Sequence, residues 1–192
     1  MNARKILIEA MYDLVLEKPF EQITVQNVLD RADISRGTFY KYFKDKYDLA
    51  NSYIKDYIDN VIFKQYDGSN WAALYPQLIQ FVYDHKTYFQ ALLGENHVNS
   101  LSNYLLTSSF GSYEKVYLYT HQKEALSTEE RLKLDFFNAG LIFIFCKWVQ
   151  GGCKQSVQEF ANMSLKLVPE DYISIKNLIR QSNDDASSSK EE

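Results

Sequence analysis

The sequence predicts an all-α protein, and three observations support this. Only 7 of the 192 residues are glycine and 3 are proline, whereas sandwiches and barrels need many turns that use these residues. Apolar residues recur at helical spacing along most of the chain. Two segments, Ser127-x-x-Glu130 and Ser156-x-x-Glu159, match the capping box that opens a helix. A hydrophobic fraction of 46% is sufficient for a buried core.

Four helices are predicted in the first sixty-five residues. They span residues 3–17, 25–32, 36–43 and about 46–63. Thr24, Ser35 and Asp45 each precede one of these helices and have side chains that favour the N-cap position. The two short helices are separated by a three-residue turn. The polar segment 65–70 is the clearest break in the chain and separates a basic module from a larger, aromatic remainder.

The rest of the chain is also predicted to be helical. Residues 75–86 and 88–93 are expected to form one broken helix or two, and residues 99–119 another pair bent near Gly111. Further helices are expected at 129–149, 157–167 and 171–181. Pro76 suits the first turn of its helix, and Gly151-Gly152 marks the end of another. Residues 182–192 contain no apolar residue larger than alanine, so we expect this tail to be disordered.

Charge is distributed unevenly along the sequence. The whole chain carries a net charge of −4, but residues 31–46 contain five basic and two acidic residues, a local charge of +3. The basic residues are Arg31, Arg36, Lys41, Lys44 and Lys46. A local basic patch can bind nucleic acid even when the protein as a whole is acidic.

The predicted helix 36–43 has two chemically different faces. Phe39 and Phe43 form an i, i+4 apolar pair, so this face is expected to pack on the rest of the module. The opposite face is centred on Lys41 and carries hydrogen-bond donors but no carboxylate. An arginine such as Arg36 in the first turn can reach guanine in a major groove. Close approach to a groove would also explain Gly37, since glycine costs about 1 kcal/mol in a helix. An ordinary amphipathic helix with a solvated basic face fits the same pattern.

Residues 24–49 resemble the DNA-binding signature of the TetR family of bacterial transcriptional regulators. The most specific segment is Thr-Phe-Tyr-Lys-Tyr-Phe-Lys-Asp-Lys at residues 38–46, and the resemblance extends over about residues 3–49. It implies an N-terminal three-helix domain, residues 1–49, in which a helix-turn-helix binds the major groove. It also implies an all-helical domain, residues 50–181, that binds an effector and dimerises, with the helix of about 46–63 bridging the two domains.

The resemblance also implies which residues contact DNA. Gln26, Arg36, Gly37 and Thr38 are expected to face bases. The residues expected to face phosphates are Thr24, Tyr40, Lys41, Tyr42 and Lys46. Ser35 is also expected to belong to the DNA-binding residues. Two residues depart from the family pattern: Asp33 stands where glycine is usual, and Leu29 where a small residue is common. Asp adopts the left-handed conformation less readily than glycine but does tolerate it.

Residues 84–94 and 147–161 are similar to a TetR subgroup that includes regulators of dihydroxyacetone kinase operons. This similarity implies that the last two capped helices form a four-helix dimer interface with their symmetry mates. The apolar pattern agrees, because these helices carry more large apolar residues than one face usually buries. The candidate interface residues are Phe136, Phe137, Leu141, Ile144, Phe145 and Phe160.

The abundant aromatic residues of the second domain could line a pocket for a small apolar or amphipathic effector. The candidate residues are His85, Tyr88, Phe89, Tyr104, Phe110, Tyr113, Phe143 and Trp148. Plain core packing explains such residues equally well, because a buried ring is by default part of a core.

Other classes of protein find little support in the sequence. It contains no nucleotide-binding, nucleophile-elbow or zinc-protease motif, so we expect neither an enzyme nor a cofactor. His85, His97 and His121 have no helical i, i+4 partner or nearby cysteine, which disfavours a metal site. Two cysteines and no apolar N-terminal segment indicate the cytoplasm, and no apolar run reaches the ~20 residues of a membrane helix.

The functional hypothesis from the sequence is therefore a homodimeric repressor. It binds a palindromic operator in double-stranded DNA and releases it when a small molecule binds. The alternative is a TetR-like coactivator whose C-terminal domain binds a partner protein instead of a metabolite.

Overall fold

The computed structural model describes residues 2–66, 70–94 and 98–167, without the side chains of residues 71, 72, 109–113, 115, 116, 119 and 120. Every regular element within these ranges is a helix, which confirms the all-α prediction. The helix expected at 171–181, the tail 182–192 and His97 lie outside the described residues. None of the described helices is long and apolar enough to cross a membrane.

The first three helices form a compact unit with the predicted boundaries, except that the third ends one residue earlier than expected. They are α1 (Ala3–Glu17), α2 (Val25–Ala32) and α3 (Arg36–Tyr42). The hydroxyl oxygen of Thr24 accepts the backbone N–H of Asn27, and that of Ser35 accepts the N–H of Thr38, both at 3.2 Å. Asp33 ends α2 in the left-handed conformation, with φ 51° and ψ 48°. The residue that departs from the family pattern therefore adopts the conformation that glycine favours.

The fourth helix is longer and changes its hydrogen-bonding pattern near its end. Helix α4 (Lys46–Tyr57) continues into a π-helix (Ile58–Ile62) and a final turn, α5 (Phe63–Gln65). The N–H of Phe63 donates to the carbonyl of Ile58, five residues back. The sequence predicted one regular helix over this range and gave no indication of the π-helix. Such segments often occur at functional sites.

Five further helices complete the described structure: α6 (Trp71–Asp84), α7 (Lys86–Leu93), α8 (Leu101–His121), α9 (Thr128–Gln150) and α10 (Val157–Lys166). Both predicted capping boxes are present, at the starts of α9 and α10. Two details differ from the predictions. Helix α6 begins before Tyr75, so Pro76 lies inside it, and α8 is one helix without a break at Gly111.

One apolar core extends from the N-terminal helices into the larger helical bundle. Leu7 and Met11 of α1 lie in the same buried cluster as Ile54 of α4 and Phe89 of α7. Polar contacts reinforce this junction: Arg4 forms two hydrogen bonds with Asp56, at 2.5 and 2.7 Å. Helix α4 is thus packed against both parts of the protein.

Candidate nucleic-acid interface and effector cavity

Helix α3 presents the predicted polar face at the surface. Phe39 is fully buried and Phe43 is 3% exposed, so these rings hold the helix against the core. Arg36, Gly37 and Lys41 are exposed on the other side, where Tyr40 is 52% exposed. Arginine, lysine and tyrosine side chains on one short helix can contact both base edges and phosphates. We call this surface the α3 face.

The guanidinium group of Arg36 is held in position by α2. Its Nη2 donates to Oε1 of Gln26 at 3.0 Å, and Nε2 of Gln26 donates to Asp30 at 2.7 Å. This chain of hydrogen bonds limits the orientations of two residues that were expected to face bases. Arginine has five donors, so guanine recognition remains available to it.

Several other predicted DNA-binding residues also serve the fold. Thr24 and Ser35 are N-caps, and the hydroxyls of Ser35 and Thr38 lie 2.9 Å apart. The Lys41 ammonium group lies 5.8 Å from the centre of the Tyr42 ring, and Tyr42 is 36% exposed. A Cβ added to Gly37 would have no atom within 4 Å. Packing within the protomer therefore does not require glycine there.

Lys46 makes contacts within the protein that the sequence did not predict. Its ammonium group points back into the N-terminal unit and donates to the carbonyls of Phe20, Glu21 and Ile23, at 2.9, 3.3 and 3.0 Å. It also lies 4.5 Å from the centre of the Phe20 ring. These contacts hold the start of α4 against the connection between α1 and α2, and Lys46 remains partly exposed.

The N-terminus of α4 is also occupied. The Asp45 carboxylate accepts the backbone N–H groups of Tyr47 and Asp48, at 2.9 and 2.8 Å. Its other oxygen accepts the side-chain amide of Asn99 at 2.8 Å. Helix N-termini attract anions through such N–H groups, but here a carboxylate of the protein already satisfies two of them.

A mostly apolar cavity of about 210 Å³ lies between α4 and the helices α6, α8 and α9. Nine of its lining residues have purely hydrocarbon side chains: Ile54, Ile58, Phe63, Leu78, Ile79, Leu105, Leu141, Ile142 and Phe145. Two of these, Ile54 and Ile58, come from α4 and the start of the π-helix. We call this space the α4 cavity.

A few polar groups also line the α4 cavity. Lys55 and Asp59 form an ion pair at 3.1 Å, and about half of each side chain is exposed, so this pair lies at the cavity mouth. Burial raises the pKa of both Tyr75 and Tyr104 to about 12. A side-chain hydrogen bond to Ser108 partly offsets this rise at Tyr104. Both phenols therefore stay neutral at physiological pH.

Three predicted effector residues lie in an aromatic cluster next to α1 instead. His85 Nδ1 is 2.8 Å from the hydroxyl of Tyr12, and its Nε2 is 3.2 Å from that of Tyr53. Burial lowers the pKa of His85. Tyr88 donates to the carbonyl of Ala50 at 2.8 Å, and Phe89 is 1% exposed. These residues connect α1 and α4 to α7 and do not line the α4 cavity.

The side chains of the other effector candidates lie in different parts of the structure. Tyr104 lines the cavity, whereas the side chains of Phe110 and Tyr113 lie outside the described residues. Phe143 is 67% exposed. The Trp148 ring stacks on Phe160 at 4.3 Å, and its N–H donates to the carbonyl of Gln155. Among the candidates whose side chains are described, Tyr104 alone therefore lines the α4 cavity.

The predicted dimer residues also separate into two groups. Phe136 is 83% exposed, and Ile144 is partly exposed. Phe137, Leu141, Phe145 and Phe160 are buried inside the protomer, and Leu141 and Phe145 line the cavity. Because the protomer itself covers these four side chains, they are corrected to core or cavity residues.

An exposed apolar face on α9 differs from the set of residues predicted for the dimer interface. It consists of Leu132, Phe136, Ala139, Gly140 and Phe143, which are all exposed and follow one side of the helix. The sequence predicted only Phe136 for this role and assigned Phe143 to the pocket. Spacing by three and four residues was the signal available, but it does not reveal which stripe of α9 faces the core. We call this surface the α9 face.

Two family models match the chain. Residues 7–53 match the model described as bacterial regulatory proteins of the tetR family. Residues 69–170, more than half of the chain, match TetR_C_8, a transcriptional regulator C-terminal region. The first match contains α2 and α3 with their connecting turn, and the second contains α6 to α10.

Similar curated proteins are helix-turn-helix regulators. DhaS of Lactococcus lactis, a dhaKLM operon transcriptional activator, is 25% identical over 89 residues, which are 46% of this chain and 48% of DhaS. YdeS of Bacillus subtilis is 43% identical over 45 residues, 23% of each chain. YxbF of Bacillus subtilis is 24% identical over 99 residues, 46% of this chain and 26% of YxbF. The alignments thus span from about a quarter to half of these relatives.

Solved structures share the whole fold. A dihydroxyacetone kinase operon activator DhaS matches with a TM-score of 0.60 and 18% identity over 91% of this chain and 96% of that chain. A TetR regulator from Rhodococcus sp. RHA1 matches with a TM-score of 0.56 and 18% identity, covering 92% and 96%. The family-model matches and the α3 face agree: the chain belongs to the TetR family of bacterial transcriptional regulators, which bind DNA.

Proposed function

We propose that the protein is a homodimeric repressor that binds a palindromic operator and releases it when a small apolar molecule enters the α4 cavity. Residues 1–49 recognise DNA in the cytoplasm, and residues 50–181 dimerise and bind the effector. The α3 face carries this proposal: Phe39 and Phe43 anchor a helix whose exposed side consists of hydrogen-bond donors.

The α3 face divides into two kinds of contact. Gln26, Arg36, Gly37 and Thr38 face bases, and Arg36 is the candidate for bidentate recognition of guanine. The residues that contact the phosphates, or that position the protein on them, are Thr24, Ser35, Tyr40, Lys41 and Tyr42. Lys46 supports the unit from inside through its three carbonyl contacts.

Dimerisation uses the α9 face. Phe136 and Phe143 are exposed by 83% and 67%, and an apolar patch of this kind marks an interaction surface. Ala139 and Gly140 lie between the two rings on the same side and leave room for a partner's side chain. Two copies joined here present two α3 faces, as a palindrome with half-sites about 34–36 Å apart requires.

Helix α4 connects effector binding to DNA binding. The helix begins with Lys46, which is bound to the α1–α2 connection. Near its other end, Ile54 lines the cavity together with Ile58 of the π-helix. A ligand that binds one arrangement of this helix better than another shifts the population of that arrangement. The π-helix lies at the cavity end of this helix, and such segments are frequent at functional sites.

Selection of bound duplexes from a random DNA pool tests the core of the proposal. It is performed with the full chain at two salt concentrations, and the mass of the complex is measured in parallel. We expect a palindrome bound by two copies, with affinity that falls steeply as salt increases. An Arg36→Ala and Lys41→Ala double variant serves as the negative control. Weak, sequence-independent binding by the unmodified chain would contradict the proposal.

Activation is the second candidate function. It is favoured by DhaS, which is described as an activator both among the curated relatives and among the solved structures. In this case the C-terminal region binds a partner protein. Deleting the gene separates the two candidates: transcription from the selected operator rises for a repressor and falls for an activator. Co-purification of a defined partner from the native host would further support activation.

A further inference from the structure

We propose that the effector is an uncharged, mostly apolar molecule of about eight to eleven non-hydrogen atoms whose one hydroxyl or carbonyl group binds Tyr104 and Ser108. This inference rests on the proposed function, because it specifies the ligand of the α4 cavity. It concerns binding at the cavity, which can be measured without DNA.

The cavity volume sets the size of the ligand. An apolar cavity of about 150 Å³ holds benzene, which has six carbon atoms. The α4 cavity measures about 210 Å³ and has the same kind of aliphatic and aromatic lining. By proportion it accommodates about eight such atoms, and the mouth beside Lys55 allows a few more.

The charges at the cavity exclude an ionic ligand. Lys55 and Asp59 are its charged lining residues among those described, and they pair with each other at 3.1 Å. A carboxylate in the cavity would have to compete with Asp59 for Lys55, and a cation would have to compete with Lys55 for Asp59. Any charge placed deeper has no counter-charge, and burying an unpaired charge is strongly unfavourable.

The hydroxyl groups that bind the polar group of the ligand lie on α8. Tyr104 and Ser108 are four residues apart, line the cavity together and share a side-chain hydrogen bond. Two hydroxyls can both donate and accept, so they can bind either an alcohol or a carbonyl group. Tyr75 also lines the cavity but is 5% exposed and hydrogen-bonded to Ser164. The pair on α8 is therefore the recognition site for a single polar group.

Three matched probes test the ligand class by calorimetry on the full chain without DNA. We expect 4-propylphenol to bind and propylbenzene to bind about three- to tenfold more weakly. The anion 4-ethylbenzoate, which stays within the size limit with about eleven non-hydrogen atoms, is expected to bind at least tenfold more weakly than the phenol. The Tyr104→Phe variant should lose three- to tenfold affinity for the phenol and retain its affinity for propylbenzene. Tyr83→Phe, outside the cavity lining, is the matched control and should bind as the unmodified chain does.

Each contrary result would overturn a different part of the proposal. No binding of either neutral probe, or equal binding of the benzoate, would overturn the proposed ligand class. An equal loss of both neutral probes in Tyr104→Phe would overturn the role of its hydroxyl. Release from the selected operator is measured separately with 4-propylphenol. If the phenol binds but the complex with DNA persists, the effector role in the proposed function fails while the ligand class stands.

Discussion

The two exposed faces of the protein differ in chemistry although both belong to amphipathic helices. The α3 face consists of charged and hydroxyl groups, and Arg36 on it is already hydrogen-bonded to Gln26. The α9 face consists of hydrocarbon side chains, with Phe136 83% exposed. Water satisfies the first face when nothing is bound. The second face gains free energy whenever it is covered, by about 25 cal/mol for each Å² of apolar surface.

This difference indicates which contact is permanent and which is regulated. A polar face can bind and release a charged partner such as DNA, because salt and water compete with each contact. A contiguous exposed apolar face is typical of an interaction surface. We therefore expect dimerisation to persist while DNA binding responds to the effector.

Phe136→Asp should produce the largest effect. Each dimer loses two buried rings, each worth about 1.5–3 kcal/mol, and gains two buried charges. We expect dimerisation to weaken by about 10²-fold or more, since about 1.4 kcal/mol corresponds to tenfold. Sedimentation equilibrium measures this directly, and operator affinity should fall with it.

Val98→Asp is the matched control for this change. Val98 is 79% exposed and lies outside α9, so the same type of substitution should leave the mass unchanged. The free energy of unfolding of the Phe136→Asp monomer should stay within about 0.5 kcal/mol of the unmodified monomer, because the ring is exposed. A dimer that persists in this variant would place the interface elsewhere.

Arg36→Ala and Lys41→Ala test the division within the α3 face. Loss of Arg36 should cost about 1–3 kcal/mol of discrimination at one base position. Loss of Lys41 should weaken all sequences alike and reduce the salt dependence by about one phosphate contact. Titration of cognate and scrambled duplexes at several salt concentrations compares them. Identical losses on both duplexes for Arg36→Ala would remove it from base recognition.

Lys46→Met distinguishes internal support from DNA contact. The methionine keeps most of the apolar stem but leaves the carbonyls of Phe20, Glu21 and Ile23 without the ammonium donor. We expect the free energy of unfolding in urea to fall by about 1–2 kcal/mol. Lys41→Met, on the exposed face, should leave stability unchanged. If Lys46→Met instead lowers the salt dependence of DNA binding with no change in stability, Lys46 contacts phosphate.

The N-terminal helices were predictable because their determinants are local. Thr24, Ser35 and the phenylalanine pair on α3 act within one or two turns, and their structural roles were predicted correctly. The carbonyl contacts of Lys46 were not predicted, because its partners lie more than twenty residues away on the α1–α2 connection. The π-helix also left no recognisable pattern in the residues that form it.

The C-terminal helices were harder because aromatic residues suit the core, a cavity and an interface equally well. Phe143 and Phe145 are two residues apart on α9, yet one is 67% exposed and the other lines the cavity. Their roles depend on how α9 is rotated against α7 and α8, which periodicity alone does not determine. The capping boxes fixed the start of the helix but not the direction in which its faces point.

Gly37→Ala should have only a small, stabilising effect on the fold and tests the α3 face most specifically. A Cβ at this position meets no atom within 4 Å, so alanine fits and should stabilise α3 by at most about 1 kcal/mol. If the backbone of α3 approaches a groove closely, the added methyl group weakens operator binding while thermal stability rises. Calorimetry and operator titration on the same sample measure both quantities. An increase in stability with unchanged affinity would mean that the first turn of α3 does not lie close to the DNA.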